Sequence, residues 1–361
     1  MDYLQFFSSD YVTARDQFHS VVEAEGYHYE SHSINQQGPV GEDLAIAVAI
    51  REFGKDPQSA LVVSSGLHGV EGFLGSAVQL ALLKDQLRLT SQLNGVRLVL
   101  IHALNPYGFA WRRRWNEDGV DLNRNFLLPR EDYHGSPEAY SKLDSFFNPP
   151  SPPSRLEPFL LKALGLIARY GINSLKDTLP VGQYDFPKGL FFGGTAASKT
   201  QQILEADLAR WLGGVRDVLH IDFHTGLGRR GSYKLLINKP EPGFLQRSRQ
   251  QFGSQIVIDS SAENMVYRVR GSFADWCQAV FPHYRYDFIT VEFGTYPVLQ
   301  VVKALRNENR AYWWGKSGEQ YEWTKRQLLE VFAPTSSIWR ERCVQQGLQV
   351  IRGAYSAWTN L

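Results

Sequence analysis

Four short apolar runs restrict this chain to folds built around a buried sheet: "ALVVSS" (Ala60 to Ser65), "VRLVLIHAL" (Val96 to Leu104), "DVLHIDFHTG" (Asp217 to Gly226) and "RYDFITVEFG" (Arg285 to Gly294). Near-continuous apolar runs of this length suit strands covered on both faces, the usual condition of a parallel or mixed sheet. "LAIAVAIREF" (Leu44 to Phe53) alternates and reads as a further strand, as does "SYKLLIN" (Ser232 to Asn238). Phe73 to Leu89 carries Leu and Val at helical spacing, which completes a strand, loop, helix, strand pattern with a crossover helix. Helices are also expected over Leu156 to Tyr170, Lys199 to Trp211 and most of the chain from Val298. Asn105 to Phe126 reads as a long loop, and Leu127 to about Pro153 as loop, with "NPPSPPS" its stiffest piece. Strands on both sides of that Pro-rich piece feed one sheet. The economical reading is a single domain over residues 1–361 with an insertion at about 127–198.

Charge and composition exclude several partners. Thirty-eight basic and 37 acidic residues leave a net charge of +1, no field to gather nucleic acid or an anionic membrane. Cys277 and Cys343 lie far apart with no CxxC spacing, so no disulfide framework is expected. No stretch approaches the ~18 apolar residues of a membrane span, and the start, "MDYLQFFSSDYVTARDQFHS", lacks a basic leader, so a cytoplasmic protein is expected. Against this neutral background the stretch "WRRRWNEDGVDLNRNF" (Trp111 to Phe126) gathers Arg112, Arg113, Arg114 and Arg124. Charges so close repel unless anions sit among them. Glu117, Asp118 and Asp121 can answer them from within, an acidic ligand from without.

A candidate metal site lies at the strand ends. In "SSGLHGVEG", His68 and Glu71 stand three apart where a strand stops, the edge at which open α/β sheets place their chemistry. Imidazole and carboxylate both suit zinc, and a catalytic zinc takes three protein ligands plus one open position. Gly66, Gly69 and Gly72 let a tight loop bring both side chains to one point. His224, in "HIDFHTG", supplies a third ligand at the same kind of boundary. His220 shares its strand face with Asp222 and His224 but stands mid-strand, where a buried structural role suits it better.

The ordered series "HGVE", "NPYGF", "RRRWNEDGVDLNRNF", "DFHTG", "VYRVRGSFADW" and "TVEFG" resembles the zinc carboxypeptidases, the carboxypeptidase A-like metallopeptidases, and within them a bacterial branch. The resemblance covers roughly residues 60–130 and 215–295. It implies an α/β fold with a mixed, mostly parallel eight-stranded sheet sandwiched between helices and one zinc ion at the C-terminal strand ends. It implies His68, Glu71 and His224 as zinc ligands and Asp121 as the acid that hydrogen-bonds the first histidine. Asn123 and Arg124 would grip a substrate carboxylate, for which the planar guanidinium fork is suited. Arg113 or Arg114, with Arg112 third, would stabilise the oxyanion. Tyr267, eight positions before Asp275-Trp276, would close over the substrate, and Glu292 would be the catalytic carboxylate.

The implied activity is zinc-assisted hydrolysis of an amide next to a free carboxylate, on a peptide or other small substrate. "LHGVEG" and "DFHTG" also resemble the related zinc deacylases of N-acyl amino acids, the aspartoacylase and succinylglutamate desuccinylase type. The Tyr267 to Trp276 match ranks peptide hydrolysis first. Arg270 would line the side-chain pocket and favour an acidic substrate. Gly226, Gly228 and Gly231 spell GxGxxG, but "SYKLLIN" follows where a dinucleotide site needs a helix. Trp111 and Trp115 flank the arginines as in stacking on nucleic acid, yet Glu117, Asp118 and Asp121 would repel phosphate. A non-catalytic binder on the same fold would have no use for Glu292. No GxSxG elbow offers a nucleophile. Oligomeric state is not legible.

Overall fold

The computed structural model describes residues 2–85, 93–171, 181–260, 269–315 and 317–359. Its eight strands are β1 (His28–Gln37), β2 (Asp43–Phe53), β3 (Ser59–Ser65), β4 (Val96–His102), β5 (Asp217–Thr225), β6 (Tyr233–Asn238), β7 (Val257–Asp259) and β8 (Arg285–Phe293). They form a sheet in the order β1-β2-β4-β3-β5-β8-β6-β7. The central run β4-β3-β5-β8 is parallel, as is β6 with β7. The pairs β1–β2, β2–β4 and β6–β8 are antiparallel. This is the mixed α/β architecture expected from the sequence.

Among the described residues the first helices are α1 (Tyr11–Ala24), α2 (Gly72–Lys84), α3 (Pro106–Ala110), α4 (Glu138–Phe147), α5 (Phe159–Tyr170) and α6 (Lys199–Leu212). The later ones are α7 (Pro242–Phe252), α8 (Phe273–Val280), α9 (Val298–Trp314), α10 (Glu319–Phe332) and α11 (Ser337–Thr359). Their ends follow local chemistry. Asp10 caps α1 by accepting from the Thr13 N–H at 2.8 Å, and Ser198 caps α6 while Gly213, at φ +69°, ends it in the left-handed region.

Alternation along the strands divides the interior in two. Leu219, Ile221 and Phe223 of β5 join one core with Leu74 and Val78 of α2, Phe244 of α7 and Val344 and Leu348 of α11. Val218 joins the opposite core with Leu204, Leu208 and Trp211 of α6 and Phe273 and Trp276 of α8. A third cluster sets Tyr140, Leu143 and Phe147 of α4 against Val301 and Leu305 of α9 and Leu328 and Phe332 of α10. It includes Val70 and Trp115, from the two loops that carry the candidate site.

The loop expected over Leu127 to Pro153 is interrupted by α4, which shows that the prolines mark only the edges of that segment. Tyr140, Leu143 and Phe147 recur at three and four residues and bury one face, a helical signal masked by the flanking Pro and Gly. Strand β1 carries no apolar run because it is an edge strand, with Ile34 its one buried side chain. The helix expected over Phe73 to Leu89 is α2 up to Lys84, and 86–92 lie outside the described residues.

Leu219 is fully buried at the centre of β5. Leu219→Ala is therefore expected to cost about 2–5 kcal/mol in urea unfolding, through lost burial and the cavity left behind.

Candidate metal centre

Three side chains from two loops meet where β3 and β5 end. After Ser65 the chain turns through Gly66, at φ +67°, into a single 3-10 turn, Gly69–Glu71, from which α2 starts. The turn puts His68 Nδ1 2.9 Å from Glu71 Oε1, both side chains buried. Backbone bonds fasten it to the arginine stretch: Gly69 N–H donates to Arg114 O at 3.2 Å and Val70 N–H to Arg113 O at 2.7 Å. A Cβ on Gly69 would run into the Gly108 backbone, so this close approach requires glycine. His224 arrives from β5, whose register with β3 pairs Ser65 with Phe223. Its Nδ1 is 3.2 Å from His68 Nδ1 and 3.2 Å from Glu71 Oε2. The Thr225 N–H donates to Glu71 Oε2 at 2.9 Å and fixes the carboxylate. The ligand atoms of His68, Glu71 and His224 all lie within 4.8 Å of one another.

Each imidazole is backed by a carboxylate. His68 Nε2 lies 3.1 Å from Asp121 Oδ1, and His224 Nε2 lies 2.6 Å from Asp222 Oδ2. A proton on His224 Nε2, held by Asp222, turns that ring's Nδ1 lone pair to the centre. Arg114 completes the ring: Nε donates to Asp121 Oδ2 at 2.9 Å and Nη1 to Glu71 Oε1 at 3.2 Å, while Nη2 lies 2.7 Å from His68 Nε2. Burial opposes the charge on Asp121, but Arg114 and His68 outweigh it and hold its pKa well below the usual carboxylate range.

The donor set fits a divalent cation. Glu71, Asp121 and Asp222 place three buried carboxylates here with Arg114 and Arg124, a surplus of negative charge that burial penalises unless a cation joins it. Two Nδ1 atoms and a carboxylate make a zinc-type set with room for a further ligand. Glu292, register partner of His224 on β8, buries an Oε2 that has no hydrogen-bond partner among the described residues. Desolvation pushes its pKa up to about 7, against the pull of His224.

The remaining candidates scatter. The three consecutive arginines point to three places, because Arg112 takes a left-handed turn at φ +51°. Arg112 acts electrostatically on Asp10 at the start of α1. Arg113 is not brought to the centre: it is fully buried, donates from Nε to Glu308 Oε1 of α9 at 2.9 Å and stacks 3.4 Å from the Tyr312 ring centroid. Asn123 accepts from the Phe273 N–H at 3.0 Å, and Arg124 donates from Nη1 to the Asn123 carbonyl at 2.8 Å. Arg270 donates to the backbone carbonyls of Asp132 and His134 and stacks on Tyr184, so it ties down the segment 127–198. His220 is a buried structural group between Ser64 and Tyr286. Tyr267 lies outside the described residues.

Residues 7–346 match the family described as "Protein of unknown function (DUF2817)". The chain belongs to that family. No curated protein matches the DUF2817 chain. Among solved structures, thrombin activatable fibrinolysis inhibitor is similar at 13% identity, over 98% of this chain and 75% of that one, with a TM-score of 0.52. Carboxypeptidase A from Helicoverpa armigera is 12% identical over 91% of this chain and 74% of its own, TM-score 0.47. Murein-tripeptide amidase MpaA from Escherichia coli O157 is 17% identical over 78% and 91%, TM-score 0.38. The likeness to thrombin activatable fibrinolysis inhibitor is one of fold.

Three groups at this DUF2817 site have roles that the sequence reading did not assign. Asp222 was legible in principle, since a strand's period of two puts it on the same face as His224. Phe191, from the insertion, was not: its ring lies 5.5 Å from the Arg114 guanidinium and 5.8 Å from that of Arg124, and it holds φ +57°. Tyr184, also of the insertion, donates its hydroxyl to the Arg124 carbonyl at 2.7 Å.

Glu308 also accepts from Lys325 Nζ of α10 at 2.5 Å. Glu308→Ala strips the acceptor from two buried cations and is expected to cost about 3–5 kcal/mol of stability in chemical unfolding. Metal affinity measured on the folded fraction is expected to stay unchanged.

Proposed function

We propose that this chain is a metal-dependent hydrolase, of the metallocarboxypeptidase type, that cleaves an amide bond next to a free carboxylate. One observation carries the reading: two imidazole Nδ1 atoms and the Glu71 carboxylate converge, each imidazole is backed by a carboxylate, and an unpartnered Glu292 oxygen lies on the neighbouring strand. His68, Glu71 and His224 would hold one zinc ion, which supplies Lewis acidity to the scissile carbonyl and to water.

The chain's own groups do the rest. Glu292 Oε2 accepts a proton from the attacking water and returns it to the departing amine, a task suited to a carboxylate whose pKa stands near neutrality. Arg114, held rigid by Asp121 and Glu71, donates to the oxygen on which negative charge develops. Arg124 and Asn123 sit in the 3-10 turn that Asp121 caps, and receive the substrate carboxylate.

A second reading, deacylation of N-acyl amino acids, is favoured by the insertion. Gly182 packs on the Arg124 side chain, Tyr184 bonds its carbonyl and Phe191 covers its guanidinium. Such a wall beside the carboxylate site suits a compact substrate. Release of C-terminal residues from peptides of increasing length, set against a panel of acyl-amino acids, separates the two.

Elemental analysis of the purified protein is expected to find about one zinc per chain, lost in His224→Ala. No metal in the wild type after incubation with zinc would overturn the reading. Glu292→Gln should retain the metal while turnover falls by about two to four orders of magnitude. Arg124→Ala is expected to raise KM for carboxylate substrates about 10- to 100-fold, the worth of a charge-assisted hydrogen bond, and to leave amidated analogues unaffected.

A further inference from the structure

Behind His224 runs a chain of side chains that the chemistry above does not use. Asp222 accepts from His224 Nε2 through Oδ2 and from Ser64 Oγ through Oδ1, both at 2.6 Å. Ser64 Oγ lies 2.8 Å from His220 Nε2, and His220 Nδ1 lies 2.8 Å from the Tyr286 hydroxyl. All five residues are buried, Ser64, His220 and Asp222 completely.

The hydrogen positions follow from the inventory of donors. The Ser64 hydroxyl has one proton and gives it to Asp222, so it must accept from His220 Nε2–H. His220 then carries no proton on Nδ1, which accepts from Tyr286 O–H. Every bond runs the same way, from Tyr286 to Asp222, and the arrangement leaves Asp222 both oxygens as acceptors. Such chains strengthen one another in a low-dielectric interior. Backbone register sets the geometry: Ser64 of β3 pairs directly with Asp222 of β5, and His220 stands one period earlier on the same face.

We propose that Ser64, His220 and Tyr286 are positioning residues for the metal centre, acting through Asp222 to hold His224 in the Nε2–H tautomer with Nδ1 toward Glu71 and His68. The inference rests on the metal-site reading above. The two arms then differ in kind. Asp121, behind His68, is held by Arg114, a group that faces substrate in the proposed reaction. Asp222, behind His224, is held by neutral groups that reach into the core and touch no substrate. Metal affinity can thus be set at the Asp222 arm independently of the oxyanion arginine.

The test is a cobalt(II) titration followed by its visible absorption bands, on the wild type, Ser64→Ala, Ser64→Thr and Tyr286→Phe. Ser64→Ala is expected to weaken binding about 10- to 100-fold and to change the bands, as loss of such outer support does. Ser64→Thr, which keeps the hydroxyl, should restore both. A purely structural role would lower stability without moving the bands or being rescued by threonine. Should Ser64→Ala fail to fold, Tyr286→Phe, which removes one oxygen, carries the test and is expected to weaken binding in the same direction. Wild-type affinity and bands in Ser64→Ala, or in Tyr286→Phe where it stands in, would overturn the inference while leaving the metal site intact. No cobalt binding by the wild type would overturn the site reading itself, and this inference with it.

Discussion

The parallel pairing of β3 with β5 is the constraint on which the rest of the molecule depends. Its register sets Ser64 against Asp222 and Ser65 against Phe223, and so delivers the His68 turn and the His224 strand end to one point. Burying carboxylates there carries a large desolvation penalty, which the structure meets by giving each a named partner. Asp121 has Arg114 and His68, Asp222 has Ser64 and His224, and Glu71 has Thr225 and both imidazoles. Glu292 is the exception, a carboxylate left partly unmatched beside a metal-type donor set, as the proposed proton transfer would need.

The features most legible in the sequence are those whose cause is local. The central strands announced themselves because burial on both faces demands continuous apolar runs, and the strand-end glycines marked the turn that presents His68 and Glu71. The edge strand β1 stayed hidden for the same reason in reverse, since half-exposed strands carry polar residues. Helix α4 was masked by prolines that bound it without entering it. The fate of the arginine triplet could not be read from spacing. A single left-handed residue, Arg112, rotates the chain between neighbours, and only tertiary structure sends Arg113 to Glu308 and Arg114 to Asp121.

Long-range contacts were the least accessible. Ser64 is an ordinary residue at the end of an apolar strand until β5 brings Asp222 to it. Phe191 lies in a segment set apart as an insertion, yet its ring faces the guanidinium groups of Arg114 and Arg124, proposed to serve the oxyanion and the substrate carboxylate. Hydrogen bonds from Asp121 N–H to Phe192 O and from Asn125 Nδ2 to Gly193 O make that segment part of the site's wall.

The separation of the two arms along the chain has a consequence for biosynthesis. His68, Glu71 and Asp121 leave the ribosome as one group, whereas Asp222 and His224 follow only after the insertion and α6. A nascent chain that ends before β5 holds two of the three donor residues, with Asp121 and Glu71 leaning on Arg114 and His68. Domains fold as units during synthesis, so an ion taken up at the proposed site would enter a nearly finished scaffold. Loading of the proposed site would then be a late event, answerable to whatever metal the compartment offers once the last central strands have docked.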